Sequence, residues 1–254
     1  MTNKGKTAIL LLFLKEGLTI VKLKKLLTYF SIFEWCLWLG SVLAVILSFV
    51  YGEEFYFLTL IASLIGVTSL IFIAKGNVVG QFLIIIFSIL YGIISIRFRY
   101  WGEMITYLFM SLPAALSACV SWLKNPSKES KNEVLVASIT AKKCIYSFLL
   151  TAVVSVVFYF LLRYLDTANL LLSTLSVATS FLAASFLFLR SRYYAVAYAV
   201  NDIVLIGLWA LASISSISYL PMVVCFVAFL CNDVYGFINW KRIQNRQTEG
   251  QTMP

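Results

Sequence analysis

Eight apolar stretches follow one another along this chain, each of about 20 residues and so each long enough to cross a bilayer. They run over about 35–51, 55–74, 80–98, 101–123, 143–164, 169–188, 194–216 and 219–240, with short links between them. Inside a bilayer every backbone N–H and C=O must be satisfied within its own segment, which a helix does and an open strand does not. The predicted fold class is therefore all-α integral membrane, with eight transmembrane helices. Composition agrees: 61% of the residues are hydrophobic and 12% are charged, against about 25% charged in a soluble domain.

The net charge of +9 is explained by where the basic residues fall. If the eight spans alternate sides, 17 of the 20 lysines and arginines gather on one side. These are the six N-terminal lysines, Lys75, five lysines of the link 124–143, Arg190, Arg192, Lys241, Arg242 and Arg246; Arg97, Arg99 and Arg163 lie opposite. The positive-inside rule then places both termini in the cytoplasm of a multi-pass protein of the cell membrane. Near the start of the chain, the piece EGLTIVKLKKLLTYF (residues 16–30) reads as a basic amphipathic helix on the membrane surface. No small-residue cleavage site follows it, which argues against a cleaved signal peptide.

Several functions are disfavoured. Basic residues and aromatics are interleaved only over the short run Arg97–Trp101 and in no extended basic tract, so nucleic acid is not an expected partner. There is no GxxxxGK[ST] loop to hold ATP. There is no His, and the five cysteines (Cys36, Cys119, Cys144, Cys225, Cys231) are scattered and odd in number. They read as small packing residues, and no metal or cofactor is expected. A membrane enzyme would need a nucleophile with a base or a metal cluster, and without His only the aspartates remain for it.

Two Asn-Asp pairs lie within spans: Asn201-Asp202 in the seventh and Asn232-Asp233 in the eighth. A carboxylate at the centre of a span costs roughly 2.5–3.5 kcal/mol on insertion scales, so such a residue faces a partner, a cavity or a substrate. Asn201 is seven residues in from the start of its span and Asn232 eight from the end of the next. On antiparallel neighbours rising about 1.5 Å per residue, both pairs lie about 10–12 Å from the same boundary and can face one cavity. Trp35, Trp38, Trp101, Trp122 and Trp240 fall near span ends and are expected as interface anchors. Gly76 and Gly80 are expected to allow a tight turn or a close approach of helices.

The chain also carries a weak internal repeat. AKGNVVGQFLIIIFSILYG and FLRSRYYAVAYAVNDIVLIGLWA each set a basic turn and a polar amide before an apolar run. Met104 to Met222 and Trp122 to Trp240 are both 118 residues apart. The expected organisation is a basic segment with an extra helix (1–54), a three-helix unit (55–123), a connector and linking helix (124–168), a second three-helix unit (169–240) and a polar tail (241–254). The two units run in the same direction, as parallel repeats in transporters do, with substrate bound where they meet.

Taken together, SLIGVTSLIFIAKGNVVGQ, YWGEM, SWLKNP, NLLLSTLSVATSF and the two stretches NDIVLIGLWA and NDVYGFINW resemble the PnuC family of nicotinamide riboside transporters, over about Ser63 to Trp240. The resemblance implies a seven-helix 3+1+3 SWEET-like core preceded by one additional helix, a homotrimer, and uptake by facilitated diffusion. It also implies a cytoplasmic riboside kinase that traps the substrate by phosphorylation, for NAD synthesis. In one place the chain departs from the family: many members carry Trp-x-x-Trp before the Asn or Asp of the penultimate span, where this chain reads YYAVAYAVND, with Tyr193, Tyr194 and Tyr198. Relatives of the family carry thiamine or riboflavin, so another flat vitamin is an alternative substrate. A membrane sensor that binds without transporting is a further alternative.

Nicotinamide riboside is a flat cation bearing a polyhydroxyl sugar. An aromatic face attracts such a ring by about 0.5–2 kcal/mol, and Trp209, Tyr198, Tyr91 and Tyr235 are the candidates. Asp202 and Asp233 are candidates for the negative field; Asn201, Asn232, Gln81 and Asn77 for amides that meet sugar hydroxyls. Thr68, Ser88, Thr179 and Ser180 add hydroxyls, which serve as readily to join helices at about 0.6 kcal/mol each. No Lys or Arg falls in the middle of a span. That favours the riboside over its mononucleotide, whose phosphate would need a cation or a helix N-terminus.

Overall fold

The computed structural model describes residues 28–50, 57–97, 104–128, 130, 132–167, 169–215, 217 and 220–252. Trp101 and most of the amphipathic segment expected over residues 16–30 lie outside them; its last residues, Thr28–Phe30, are described and form a turn. Among the described residues, eight helices are long and apolar enough to cross a membrane. They are α1 (Ile32–Val50), α2 (Phe57–Ala74), α3 (Val79–Arg97), α4 (Thr106–Leu123), α5 (Ala141–Tyr164), α6 (Leu170–Phe188), α7 (Tyr194–Ser215) and α8 (Leu220–Thr252). The bounds lie within a few residues of those expected, except at two ends. α4 is described as a span from Thr106, and α8 runs on past residue 240, so the polar tail is largely a helical extension of the last span.

The chain divides into two compact units at Leu39–Gly40, inside α1. In the first unit, Glu34 has a local role. Ser31 N–H donates to Glu34 Oε2 at 2.6 Å, and Glu34 N–H donates to Ser31 Oγ at 3.2 Å. This reciprocal capping box satisfies two amides that the first turn of α1 would otherwise leave open.

In the second unit the helices pack in matching pairs. α2 packs on α3 as α6 packs on α7, and α3 on α4 as α7 on α8. The two groups meet crosswise, α4 on α6 and α8 on α2, while α5 packs on α6. Where they meet, the contacts are reciprocal. Trp122 Nε1 at the end of α4 donates to Leu187 O at the end of α6 (3.1 Å), and Ser121 Oγ donates to Phe188 O (2.9 Å). Trp240 Nε1 on α8 donates to Ile73 O at the end of α2 (2.9 Å), and Asn239 Nδ2 donates to Ala74 O (2.9 Å). The two indoles pack together with ring centroids 5.4 Å apart. Trp122 and Trp240 are thus buried, at 2% and 0% exposure, rather than anchored at the membrane interface.

A strap closes this end. The turns after α2 and α6 each hold one residue in the left-handed region, Gly76 (φ 65°) and Arg190 (φ 57°). Between the turns runs the connector: Val134 N–H donates to Gly76 O and Ala137 N–H to Arg190 O, both at 2.9 Å. The extension of α8 clasps the connector from outside. Gln247 Oε1 accepts from Val136 N–H (2.9 Å), and Arg246 pairs with Glu133 at 2.6 Å.

Close backbone approach makes the α2–α3 hairpin sensitive to one atom. A Cβ at Gly80 would lie 2.7 Å from Ile73 N and 2.8 Å from Ser69 O, and neither backbone atom can move freely. Gly80→Ala is expected to destabilise the purified protein by about 1–3 kcal/mol. Gly207, where a Cβ meets nothing within 4 Å, is the control: Gly207→Ala should not lower the thermal midpoint measured alongside.

Candidate functional site

Between the helices of the second unit lies a cavity of 670 Å³, within the range of about 300–1,000 Å³ usual for small-molecule sites. It runs from the α5–α6 turn, where exposed Asp166 and Asn169 line it, down to Ile73, Leu187 and Tyr194. Ile73 and Leu187 offer the carbonyls that Trp240 and Trp122 hold, so the paired indoles stand beneath the cavity floor.

The carboxyl groups of Asp202 on α7 and Asp233 on α8 both line the cavity, hydrogen-bond to each other, and are 2% and 5% exposed. Asp202 Oδ2 is left without a partner. Asn201, one residue earlier, is oriented from behind: its Oδ1 accepts from Thr179 Oγ1 (2.8 Å) and Ser180 Oγ (2.9 Å) on α6. That leaves its amide N–H groups for the cavity it lines. Across the cavity on α3, Gln81 buries both Nε2 and Oε1, and Ser88 buries Oγ, with no partner for any of the three. Buried polar atoms are nearly always hydrogen-bonded. Three such side chains facing one cavity are groups that a polar ligand would satisfy.

Aromatic rings complete the wall: Tyr194, Tyr198 and Trp209 from α7, Phe87 from α3, Tyr107 from α4, and Phe226 and Phe229 from α8. Two of the three tyrosines of the YYAVAYAVND stretch therefore stand at the cavity. The third, Tyr193, packs outside it against Phe237, ring centroids 6.4 Å apart. Among the described residues that line the cavity there is no lysine or arginine, while Asp166, Asp202 and Asp233 are all present.

Of the residues singled out in the sequence, Gln81, Ser88, Ser180, Tyr198, Asn201, Asp202, Trp209 and Asp233 line the cavity, with Thr179 behind Asn201. The others lie elsewhere. Asn232 Nδ2 donates to Ser41 Oγ on α1 (3.0 Å) and to Ala228 O (2.8 Å). Asn77 sits in the α2–α3 turn, where its Oδ1 accepts from Val79 N–H at 2.9 Å. Tyr91 is buried behind the wall, against Phe87 and Tyr107, and its hydroxyl lies 3.5 Å from Met222 Sδ. Thr68 Oγ1 donates back to Leu64 O (2.7 Å), and Tyr235 is buried without lining the cavity.

Two lining features did not emerge from the sequence. Ser173 and Ser176 extend the already expected Ser180 into a hydroxyl stripe on α6. Their spacing of three and four residues puts them on one helix face, and that spacing was a usable signal. The other is a π-helical turn, Thr106–Ser111, in which Leu112 N–H reaches back five residues to Tyr107 O. Pro113 follows it and has no N–H to donate to the preceding turn, which favours the wider turn. The bulge brings Thr106, Tyr107, Met110 and Ser111 to the cavity.

Residues 56–242 match the family described as nicotinamide mononucleotide transporter. The chain belongs to that family. It is a transporter family, so the protein is a membrane transporter and not an enzyme. A relative from Neisseria mucosa, named nicotinamide riboside transporter PnuC, is 27% identical over 218 residues, 84% of this chain and 82% of the relative. A relative of the same name from Haemophilus influenzae is 24% identical over 190 residues, 74% of this chain and 81% of the relative. A crystal structure of the vitamin B3 transporter PnuC superposes with a TM-score of 0.73 at 26% identity, covering 86% of this chain and 94% of the other. The family resemblance drawn from the motifs is thus shown.

Proposed function

We propose that this protein carries nicotinamide riboside into the cell by facilitated diffusion, and that phosphorylation by a cytoplasmic riboside kinase then traps it for NAD synthesis. One observation supports this most strongly. The cavity joins a carboxyl pair to orphaned Gln81 and Ser88, with aromatic walls and no basic residue among the described lining. A flat cation with a hydroxyl-rich sugar matches each part: charge to the carboxyl pair, ring to the aromatics, sugar hydroxyls to Gln81, Ser88 and Asn201. In this reading Asp202, Asp233, Asn201, Gln81, Tyr198 and Trp209 are the substrate-binding residues.

The family's name raises the mononucleotide as a substrate, and cavity charge argues against it. A phosphate would enter a cavity lined by three aspartates, with no cation among the described lining residues to meet it. In competition for labelled riboside on purified protein, unlabelled riboside is expected to outcompete its mononucleotide by about 100-fold, or about 2.8 kcal/mol. Equal competition would overturn the reading. Counterflow of labelled riboside in proteoliposomes tests carriage, since a sensor would bind without flux.

The arrangement in the membrane belongs to the same proposal. The termini and the connector 124–142 face the cytoplasm, as the charge asymmetry indicates. The units 55–123 and 169–240 are parallel repeats joined by α5; the reciprocal Trp122 and Trp240 contacts, 118 residues apart, support that pairing. The outward face of α5 exposes Phe148, Leu149, Val153, Val157 and Phe160, which suits lipid or neighbouring copies in a homotrimer.

A further inference from the structure

A second, polar pocket of 350 Å³ lies away from the central cavity, at the strapped end of the molecule. Three elements wall it: the connector (Ala137–Ile139), the α6–α7 turn (Ser191–Tyr193) and the helical extension of α8 (Gln244, Asn245, Thr248). Its lining is polar, and Gln244 and Asn245 add amides to it, Gln244 Oε1 being buried without a partner. Arg192 supplies a guanidinium, Ser138, Ser191, Tyr193 and Thr248 supply hydroxyls, and no aspartate or glutamate is among the described residues lining it. Arg192 is set in place, its Nη2 3.3 Å from Tyr193 Oη and its guanidinium carbon 5.2 Å from that ring's centroid.

A second observation concerns the same turn. Arg190, two residues before Arg192, buries Nη1 without a partner. Burial holds its guanidinium below the ordinary arginine value. Arg190 is half-buried as a whole, but the enclosed end of its guanidinium is left unpaired, and an anion close by would offset the cost of that. Neither arginine is used by the central cavity, and in the sequence both read simply as topology charges.

We propose that this pocket binds a phosphate-bearing anion, held by Arg192 and the surrounding hydroxyls and favoured by the field of Arg190. The ligand is a phosphomonoester, either of a soluble nucleotide or of a lipid headgroup. Its position gives it a consequence. The same three elements carry the strap: Ala137 N–H bonds Arg190 O, and Gln247 on the α8 extension bonds Val136 N–H. An anion bridging connector, turn and extension fastens them together and holds that end of the cavity shut. This consequence rests on the proposed function: with this end cytoplasmic, a phosphorylated product accumulating there would slow further entry.

The test uses the full chain in detergent, with inorganic phosphate and adenosine monophosphate as probes and thermal midpoint as readout. That readout does not depend on what the central cavity carries. A saturable rise in midpoint is expected, with Arg192→Gln raising the half-saturating concentration about tenfold or more and Arg192→Lys less. Thr248→Val should also weaken the response while leaving the ligand-free midpoint unchanged, which separates loss of binding from misfolding. If the soluble probes give no shift but phosphatidic acid nanodiscs do, relative to phosphatidylcholine, and Arg192→Gln removes that shift, the site holds and its ligand is a headgroup. No saturable response to either source, or an undiminished response in Arg192→Gln, overturns the proposal.

Discussion

Asp202→Asn and Asp233→Asn are each expected to weaken riboside binding by less than about tenfold, and the double replacement by roughly 30- to 150-fold, about 2–3 kcal/mol. The reason is the hydrogen bond between the two carboxyl groups. Such a bond holds one proton between two acids, because like charges this close do not both persist. Opposite a cationic ring the pair holds one negative charge, the ring's own charge offsetting the cost of burying it. Asparagine at either position can donate an amide N–H where the shared proton stood, so the remaining carboxylate keeps that charge. Only the double variant removes it, and the two losses are therefore far from additive. Binding to purified protein measures all three, with thermal midpoints as the check on folding. The reduced riboside, whose ring is uncharged, should lose no more than about threefold across the series. A double variant that binds within about threefold of the native protein would assign the carboxylates to helix packing.

The two Asn-Asp pairs also show how much of the site the sequence could carry. Their presence within spans was enough to place a polar cavity near α7 and α8, because an intramembrane carboxylate is costly wherever it points. Their orientation was not legible. Consecutive residues of a helix point about 100° apart, so a dipeptide cannot put both side chains squarely on one narrow face. On α7 both Asn201 and Asp202 reach the cavity, whereas on α8 Asp233 does and Asn232 turns to Ser41 on α1. A soluble helix would have shown its inner face by amphipathicity, but helices apolar all round give little such signal. The number and bounds of the spans were legible because hydrophobic length fixes them. Trp122 and Trp240 were misplaced for a related reason: closeness to a span end is compatible with an interface anchor and with a lock between helices. The difference lies in partners on α6 and α2, far away in sequence.

That lock gives the second large effect. Trp122→Ala and Trp240→Ala are each expected to cost about 3–5 kcal/mol, as removal of a fully buried aromatic does. Because the rings meet at 5.4 Å, a double-mutant cycle should show a coupling of about 0.5–1.5 kcal/mol between them. Phenylalanine separates the bond from the packing. Leu187 O and Ile73 O also accept from Arg190 N–H and Gly76 N–H, so Trp122→Phe and Trp240→Phe leave neither carbonyl orphaned, and each should cost only about 1 kcal/mol. The alanine variants should further open the cavity floor, because Leu187 and Ile73 line it directly above the indoles. Leu187→Cys in an otherwise cysteine-free chain reports on this. In proteoliposomes, a membrane-impermeant thiol reagent on the connector side should modify it slowly in the native background and at least about tenfold faster with Trp240→Ala, corresponding to about 1.4 kcal/mol or more of lost protection against local opening. If the rate is unchanged while the midpoint falls, the indoles stabilise the helix ends without closing the path beneath the substrate.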